Sequence, residues 1–259
     1  MKAEAALFAV TRLETFKRDV KARVSSKLGQ ATGFFYITQD GRLFIVTNKH
    51  VIYDRSKHYF PDRLRIHVHS DQMHWSKMKH IDFGLWSKDG KKLWKWFPNR
   101  PIDVVAVEVP TDQLRGCFFV RFSKTDMMGD GAEPLPGKDI DLGFQALVMG
   151  YPLDFYDKNT FLPMTRAATI ATWPWLNFER KPCFLIDARL HAGMSGSPVI
   201  LSPGTIKIKQ DSSGAEGAAV STESYLLGVV SDERTPWGEP LGLNTVWHAS
   251  IIRDLVNDK

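Results

Sequence analysis

The sequence predicts an all-β protein, and three observations carry that prediction. Apolar and polar residues alternate with period two along most of the chain, as half-buried strands require. Turn-forming clusters such as Gln39-Asp40-Gly41 and Lys88-Asp89-Gly90 separate the alternating runs. Only the C-terminal end carries a good helical repeat. Many short strands with one terminal helix read as a sandwich or barrel.

The strands are expected, in order, at 6–16 (ALFAVTRLETF), 32–37 (TGFFYI), 42–47 (RLFIVT), 63–70 (RLRIHVHS), 103–109 (DVVAVEV) and 117–122 (CFFVRF). A second group follows at 144–151 (FQALVMGY), 164–173 (MTRAATIATW), 183–190 (CFLIDARL), 197–202 (SPVILS), 225–231 (YLLGVVS) and 243–247 (LNTVW). The helix is SIIRDLVNDK (250–259): Ile251, Ile252 and Leu255 share one face, and Ser250 is placed to cap it. Between the two groups lies 123–139, rich in Gly, Pro and Asp, the natural linker between two β units of similar size. The polar stretch 211–224 reads as a mobile surface loop, and no internal repeat is found.

The chain has 259 residues, enough for one large domain or two small ones with a buried core. Net charge is +5, mildly basic, which permits an acidic partner without requiring one. Cys117 and Cys183 lie in apolar settings ("GCFFV", "PCFLI"), where buried small hydrophobes are preferred over a single pairing between them. With no disulfide framework, oxidising secretion is not suggested. The apolar run Ala6–Val10 is too short for a signal segment, and no run approaches membrane-spanning length. A soluble, cytoplasmic protein without membrane contact is expected.

The stretch "HAGMSGSPVI" (191–200) places Gly and Ser between two apolar runs. Acyl transfer by serine needs an exposed Oγ and two backbone N–H groups aimed at the developing oxyanion. Gly193 lets the backbone turn so that its N–H enters that space, and Ser195 supplies the second N–H. Gly196 relieves crowding behind the nucleophile. A serine needs a base, and the base needs an orienter. His50 directly follows the apolar run RLFIVTNK and is followed by Val51-Ile52, so it is expected at a strand end, anchored at a barrel edge. Asp103 opens the alternating run DVVAVEV, and a half-buried carboxylate there needs a partner such as an imidazole Nδ1–H. Each of the three has a plain structural alternative: a Gly/Ser turn, a satisfied polar residue, a strand-capping Asp. Their order places His50 and Asp103 on the first unit and Ser195 on the second. The α/β-hydrolase pattern is excluded by the G-x-S-G-S motif and by the order His…Asp…Ser.

These segments resemble a trypsin-like serine peptidase of the chymotrypsin fold, most closely the bacterial forms without disulfides. "ATGFFYITQDGRLFIVTNKHVI" resembles the stretch leading to that family's catalytic histidine, "DVVAVEV" its aspartate strand and "VMGYP" the first strand of its second barrel. "DARLHAGMSGSPVI" resembles its serine loop, with a G-x-S-G-S-P variant similar to glutamyl endopeptidases. "LLGVVS" and "GLNTVWHASIIRDLV" resemble its last strands and helix. The resemblance covers roughly 6–257. It implies two six-stranded antiparallel barrels packed perpendicular, with the active site in the cleft between them, and a C-terminal helix. The units would be 1–122 and 140–259, joined by 123–139 in a single peptidase domain. It implies peptide-bond hydrolysis through an acyl-enzyme, with His50 as general base, Asp103 as orienter and Ser195 as nucleophile. Gly193 and Ser195 would form the oxyanion hole.

Met194 departs from the Asp that zymogen-type members carry before the nucleophile, so activation by a newly cut N-terminus is not expected. The enzyme is either competent as synthesised or latent until a protein partner orders the loop. No PDZ-like extension follows the terminal helix in this sequence. The resemblance walls the specificity pocket with the segment before Ser195, with Val229–Ser231 (Val230 and Ser231) and with Asn244–Trp247 (Thr245 and Trp247). Arg189 falls near the pocket base in family terms. Pointing inward it would favour an acidic substrate side chain; snorkelling to solvent is the preferred alternative. No histidine lies on Gly228–Ser231, where glutamyl endopeptidases carry one, and Trp247 would narrow the pocket.

Two other signals compete. Lys and His alternate with Trp75, Trp86, Trp94 and Trp96 in 74–97, as a single-stranded nucleic-acid groove would. The Lys88-Asp89-Gly90 turn makes this stretch a hairpin covering the first unit instead, so nucleic acid is not the expected partner, though the hairpin could dock a protein. His67 and His69 share a strand face near His74 and His80, but nothing completes a metal set, and a solvent-facing polar edge is expected. No cofactor is expected. The expected partner is a protein or peptide substrate; the alternative is a peptidase fold that binds peptide or nucleic acid without cleaving.

Overall fold

Alternation in the first half builds one antiparallel sheet. The computed structural model describes residues 1–19, 24–127, 140, 142–203, 206–210, 216–220 and 224–258. A short helix α1 (Ala3–Ala6) and a 3-10 turn (Leu7–Ala9) precede seven strands. These are β1 (Val10–Asp19), β2 (Val24–Ile37), β3 (Leu43–Thr47), β4 (Arg63–His69), β5 (Met78–Gly84), β6 (Trp94–Lys95) and β7 (Val105–Glu108), with a single helical turn α2 (Lys49–Ile52) after β3. Their order is β5-β4-β1-β2-β3-β7-β6. In the second half, β8 (Gln145–Gly150), β9 (Met164–Ile170), β10 (Cys183–Asp187), β11 (Pro198–Leu201), β14 (Leu226–Glu233) and β15 (Leu243–His248) close into a six-stranded barrel. Between β11 and β14, β12 (Ile206–Gln210) and β13 (Glu216–Val220) form a separate two-stranded ribbon. Helix α3 (Ser250–Val256) closes the chain.

Leu13, Phe35, Ile45, Ile66 and Val107 fill the core of the first sheet, and Val148, Phe184, Val199, Val230 and Val246 that of the barrel. A third cluster joins residues of both halves, among them Phe34, Phe44, Met149, Tyr151 and Trp247, and receives Ile251, Ile252 and Leu255 of α3. This shared apolar layer fixes how the two sheets meet. Burial of such side chains supplies about 25 cal/mol per Å² of apolar surface, the main favourable term in the fold.

Several expectations change. The first unit carries seven strands rather than six, with β5 and the two-residue β6 as its outer strands. The stretch 117–122 makes only isolated bridges, Phe118 to His69 and Phe122 to Tyr36, because the chain bends so that the Val120 N–H reaches the Phe8 carbonyl. The run expected as strand from residue 6 starts instead with helix, where Ala3, Ala5 and Ala6 favour it. Part of the expected loop 211–224 is strand: Ile206 and Ile208 alternate with Lys207 and Lys209 and pair with 216–220. The residues 211–215, 221–223 and 128–139, the last being most of the expected linker, lie outside the described residues. Ser250 is the first helical residue, not the cap; Ala249 holds the cap position without a side-chain bond. Among the described residues no helix is long and apolar enough to cross a membrane.

Candidate active site

His50 lies in α2, one helical turn after β3, with Val51 and Ile52 buried beneath it. The sequence placed it at the strand end of a barrel; it lies instead in a single helical turn beyond the end of β3, a strand of the seven-stranded sheet, with its neighbours as anchors. Asp103 sits two residues before β7, between the buried Ile102 and Val104. The two segments are clasped together. The Asp103 carbonyl accepts from Asn48 Nδ2 at 2.8 Å and from the Lys49 N–H at 3.3 Å. Its carboxylate accepts the His50 N–H at Oδ1 (3.0 Å) and the His50 Nδ1–H at Oδ2 (2.6 Å). The second bond fixes the tautomer, leaving Nε2 as the free acceptor. Burial by itself lowers the imidazole pKa, but the hydrogen bond and charge of Asp103, aided by Asp232, outweigh it and raise the pKa above its ordinary value.

Ser231 donates its hydroxyl to the same Asp103 Oδ2 (2.7 Å) or to Asp232 Oδ1 (2.9 Å). Expected as a pocket wall, it thus bonds the orienting carboxylate as well. Its position comes from a register shift between Val230 and Glu233 against β15: Val230 pairs with Val246 and Glu233 with Asn244. The extra residue turns Ser231 and Asp232 out of the regular ladder.

The Ser195 loop is pinned by its carbonyls. Ala192 O accepts from the Leu153 N–H (2.7 Å), Met194 O from the Ser197 N–H (3.0 Å) and Ser195 O from the Thr32 N–H (3.1 Å). Gly193 O accepts from Thr32 Oγ1 at 2.7 Å. In a trans peptide the C=O and the following N–H point opposite ways. Fixing the Ala192 and Met194 carbonyls therefore turns the Gly193 and Ser195 N–H groups the other way, and neither donates to another backbone or side-chain group among the described residues. Gly193 (φ 94°) and Gly196 (φ 85°) hold backbone that L side chains rarely adopt, and a Cβ at either would overlap a neighbouring carbonyl, of Tyr151 and of Thr32 respectively. Met194 is 2% exposed and packs into the barrel core. Apolar burial thus holds the position before the serine.

Ser195, half-buried, lines a cavity of about 210 Å³ with Leu190, His191, Met194, Asp232, Glu233 and Asn244. His50 and Asp103 line an adjoining cleft of about 420 Å³ with Lys57, Asp232, Thr245 and Trp247. Asp232 belongs to both. The Ser195 hydroxyl makes no hydrogen bond to His50 among the described residues; such bonds are commonly long in unliganded sites and tighten around substrate.

The remaining pocket expectations divide. Thr245 and Trp247 line the His50 cleft rather than the Ser195 cavity, and Trp247 Nε1 and Thr245 Oγ1 are buried without a partner among the described residues. Val230 is fully buried core, its N–H and C=O both spent on the serine loop. Arg189 is exposed and lines neither cavity, so it does not form the pocket base. The sequence reading missed Asp232 and Glu233; the charged run SDER ending an apolar strand was the available signal.

Cys117 and Cys183 are both free, and burial raises each thiol's pKa, that of Cys183 to about 11, so neither is an activated nucleophile. His67 and His69 are not a solvent-facing edge. His69 is buried and donates Nε2–H to the Thr160 carbonyl (2.7 Å), while His67 Nε2 lies between Arg12 and Glu14. Among the described residues no group of three His, Cys, Asp or Glu could hold a metal. In the basic hairpin, Trp94 is buried and Lys92 Nζ lies 4.2 Å from the Tyr53 ring centroid and 4.3 Å from that of Trp96. Those ring faces are engaged within the chain.

A comparison with protein families matches residues 31–206 to the trypsin-like peptidase domain. The matched stretch is more than half of the chain and includes His50, Asp103 and Ser195. The chain belongs to the trypsin-like peptidase domain family. A search of curated proteins returned no match.

Proposed function

We propose that the protein is a serine endopeptidase that cleaves peptide bonds through an acyl-enzyme formed on Ser195. The observation that carries this reading is the His50 Nδ1–Asp103 Oδ2 bond of 2.6 Å beside a serine loop with two undonated N–H groups. In this reading the site lies in the cleft between the first sheet and the barrel, and the two units act as one peptidase domain. His50 Nε2 takes the Ser195 proton as Oγ attacks the scissile carbonyl. Asp103, supported by Ser231, holds the imidazole in the required tautomer and stabilises its protonated form. The Gly193 and Ser195 N–H groups receive the oxyanion. His50 then returns the proton to the leaving amine, and water, activated by His50, releases the acyl group.

The pinned carbonyls of 192–195 support a site competent without a protein partner, in preference to a latent one. Two free thiols support a cytoplasmic site of action. The nucleic-acid alternative is less favoured, because Trp94 is buried and Lys92 covers Trp96, which leaves Trp75 as the exposed ring of the stretch. The test is labelling with a fluorophosphonate probe. Wild type should be labelled at Ser195, Ser195→Ala should not be, and His50→Ala should react far more slowly. Wild-type protein that is folded, resists the probe and cleaves no member of a diverse peptide library would refute the reading.

A further inference from the structure

One charged cluster lies outside the chemistry described so far. On β1, Arg12 and Glu14 share the face opposite Leu13, and both are buried. Arg12 forks onto Asp154 of the second half: Nη2 donates to Oδ2 at 2.7 Å and Nε to Oδ1. Nη2 also reaches Glu14 Oε1 at 3.0 Å. Lys27 Nζ lies 2.8 Å from Glu14 Oε1 and 3.5 Å from Asp154 Oδ2. His67 Nε2 stands 3.0 Å from Arg12 Nη1 and 2.9 Å from Glu14 Oε2. Burial lowers the His67 pKa, so the ring is neutral and two cations balance two carboxylates. A bidentate Arg–carboxylate pair fixes direction as well as distance.

The buried Tyr151 and Pro152 seat the start of the turn 151–154, and the fork holds its end. Leu153 (φ 51°) and Asp154 (φ 60°) both lie in the left-handed region, which side chains other than Gly, Asn and Asp avoid. The side chains of Leu153 and Phe155 are 66% and 69% exposed, so neither anchors the turn. Asp154 is the one residue of these three whose side chain returns to the protein, and it returns to Arg12. The Leu153 N–H is the donor that fixes the Ala192 carbonyl and so aims the Gly193 N–H. The turn also lies flush against Gly193, where a Cβ would stand 3.2 Å from Leu153 N.

We propose that Arg12 and Asp154 are positioning residues for the oxyanion hole. The ion pair between the two halves holds the 151–154 turn, the turn holds Ala192, and Ala192 sets the direction of the Gly193 N–H. This role rests on the peptidase reading above, since it gives the aimed amide its use. It also supplies what the position before the serine lacks: Met194 cannot make the ion pair that an acid there would.

The test compares Asp154→Asn with Asp82→Asn, which breaks a bidentate pair with Arg65 elsewhere on the same sheet (2.6 and 3.0 Å). Three measurements are made: steady-state kinetics on a peptide substrate (kcat and KM), the amide resonances of Gly193 and Ser195, and the His50 titration. Asp154→Asn should lower kcat roughly tenfold or more, as expected for a misdirected oxyanion donor, with KM within about twofold. It should shift the Gly193 amide and leave the His50 titration in place, while Asp82→Asn changes none of the three. If Asp154→Asn fails to fold because Arg12 is left uncompensated, Arg12→Gln/Asp154→Asn, which removes both charges, is judged by the same readouts. A folded variant with wild-type kcat and an unmoved Gly193 amide overturns the proposal, as does an equal loss in Asp82→Asn. Wild-type protein that neither cleaves nor reacts with a fluorophosphonate would instead sink the peptidase reading, and the Gly193 amide then decides the positioning claim alone.

Discussion

His248 should make the fold acid-sensitive in a way that one substitution removes. The imidazole is 6% exposed, its ring centroid lies 5.8 Å from that of Phe184 in a stacked pair, and Nε2 has no partner among the described residues. Burial alone pushes its pKa from 6.5 down to about 4. In the unfolded chain the ring protonates below its ordinary pKa; in the folded protein it resists until about pH 4. The unfolded state therefore binds more protons as pH falls through that window, and stability falls with it. The penalty is nearly absent at pH 7, amounts to about 2 kcal/mol at pH 5 and about 3 kcal/mol at pH 4. His248→Phe keeps a planar ring against Phe184 and removes the titration. Urea unfolding of both proteins at pH 7 and pH 5 isolates the effect, because the carboxylates and His67 titrate in both. Wild type should lose about 2 kcal/mol more than His248→Phe between these pH values. Parallel losses would refute the reasoning and show that the ring gains a partner or solvent on protonation.

Asp103→Asn removes the group that raises the His50 pKa, so the acid limb of the kcat/KM profile should move to lower pH, with a rate loss of roughly 10³–10⁴ from the lost tautomer control; an unmoved limb would mean another group sets it. Gly196→Ala places a Cβ against the Thr32 carbonyl and Thr47 Oγ1 at φ 85°, and should cost a roughly hundredfold or greater loss of kcat with marked destabilisation, read by kinetics and thermal unfolding. Met194→Ala opens the barrel core beneath the serine loop and should cost about 2–5 kcal/mol in denaturant unfolding, together with slower fluorophosphonate labelling. Lys92→Ala removes the ammonium packed on Tyr53 and Trp96 and should cost about 1 kcal/mol without changing kcat.

Strand periodicity made most of the fold legible, because alternation reports which face of a strand is apolar. It does not report what covers the other face. Arg12 and Glu14 on β1 read as ordinary polar alternation, yet the 151–154 turn buries them, and that contact spans a sequence separation of 142 residues for Arg12 and Asp154. His67 and His69 were misread as solvent-facing for the same reason. The placing of His50 and Asp103 within bonding reach was legible because each stands at the mouth of an apolar run that fixes it in space; the catalytic roles of these two and of Ser195 belong to the proposed function. Ser231 was legible only as a wall: its bond to Asp103 depends on a one-residue register shift that no local pattern announces. Arg189 is exposed, the orientation preferred for it over the pocket base. The pairing of 206–210 with 216–220 was hidden because a strongly polar surround outweighed the short Ile-Lys alternation of 206–209.

The Thr32 hydroxyl, accepting from the Tyr151 N–H at 3.0 Å and donating to the Gly193 carbonyl, belongs to the first sheet while both its partners belong to the second half. Ser195 and one of the residues that hold its loop therefore sit on different halves of the chain. A fragment comprising the barrel alone would retain Ser195, Gly193 and the Leu153 and Ser197 donors, yet it would lose Thr32, which holds the Gly193 and Ser195 carbonyls. Divided at the middle, the chain would yield two pieces, neither of which holds His50, Asp103 and Ser195 together, so under the peptidase reading recovered cleavage would measure how well the halves recognise each other.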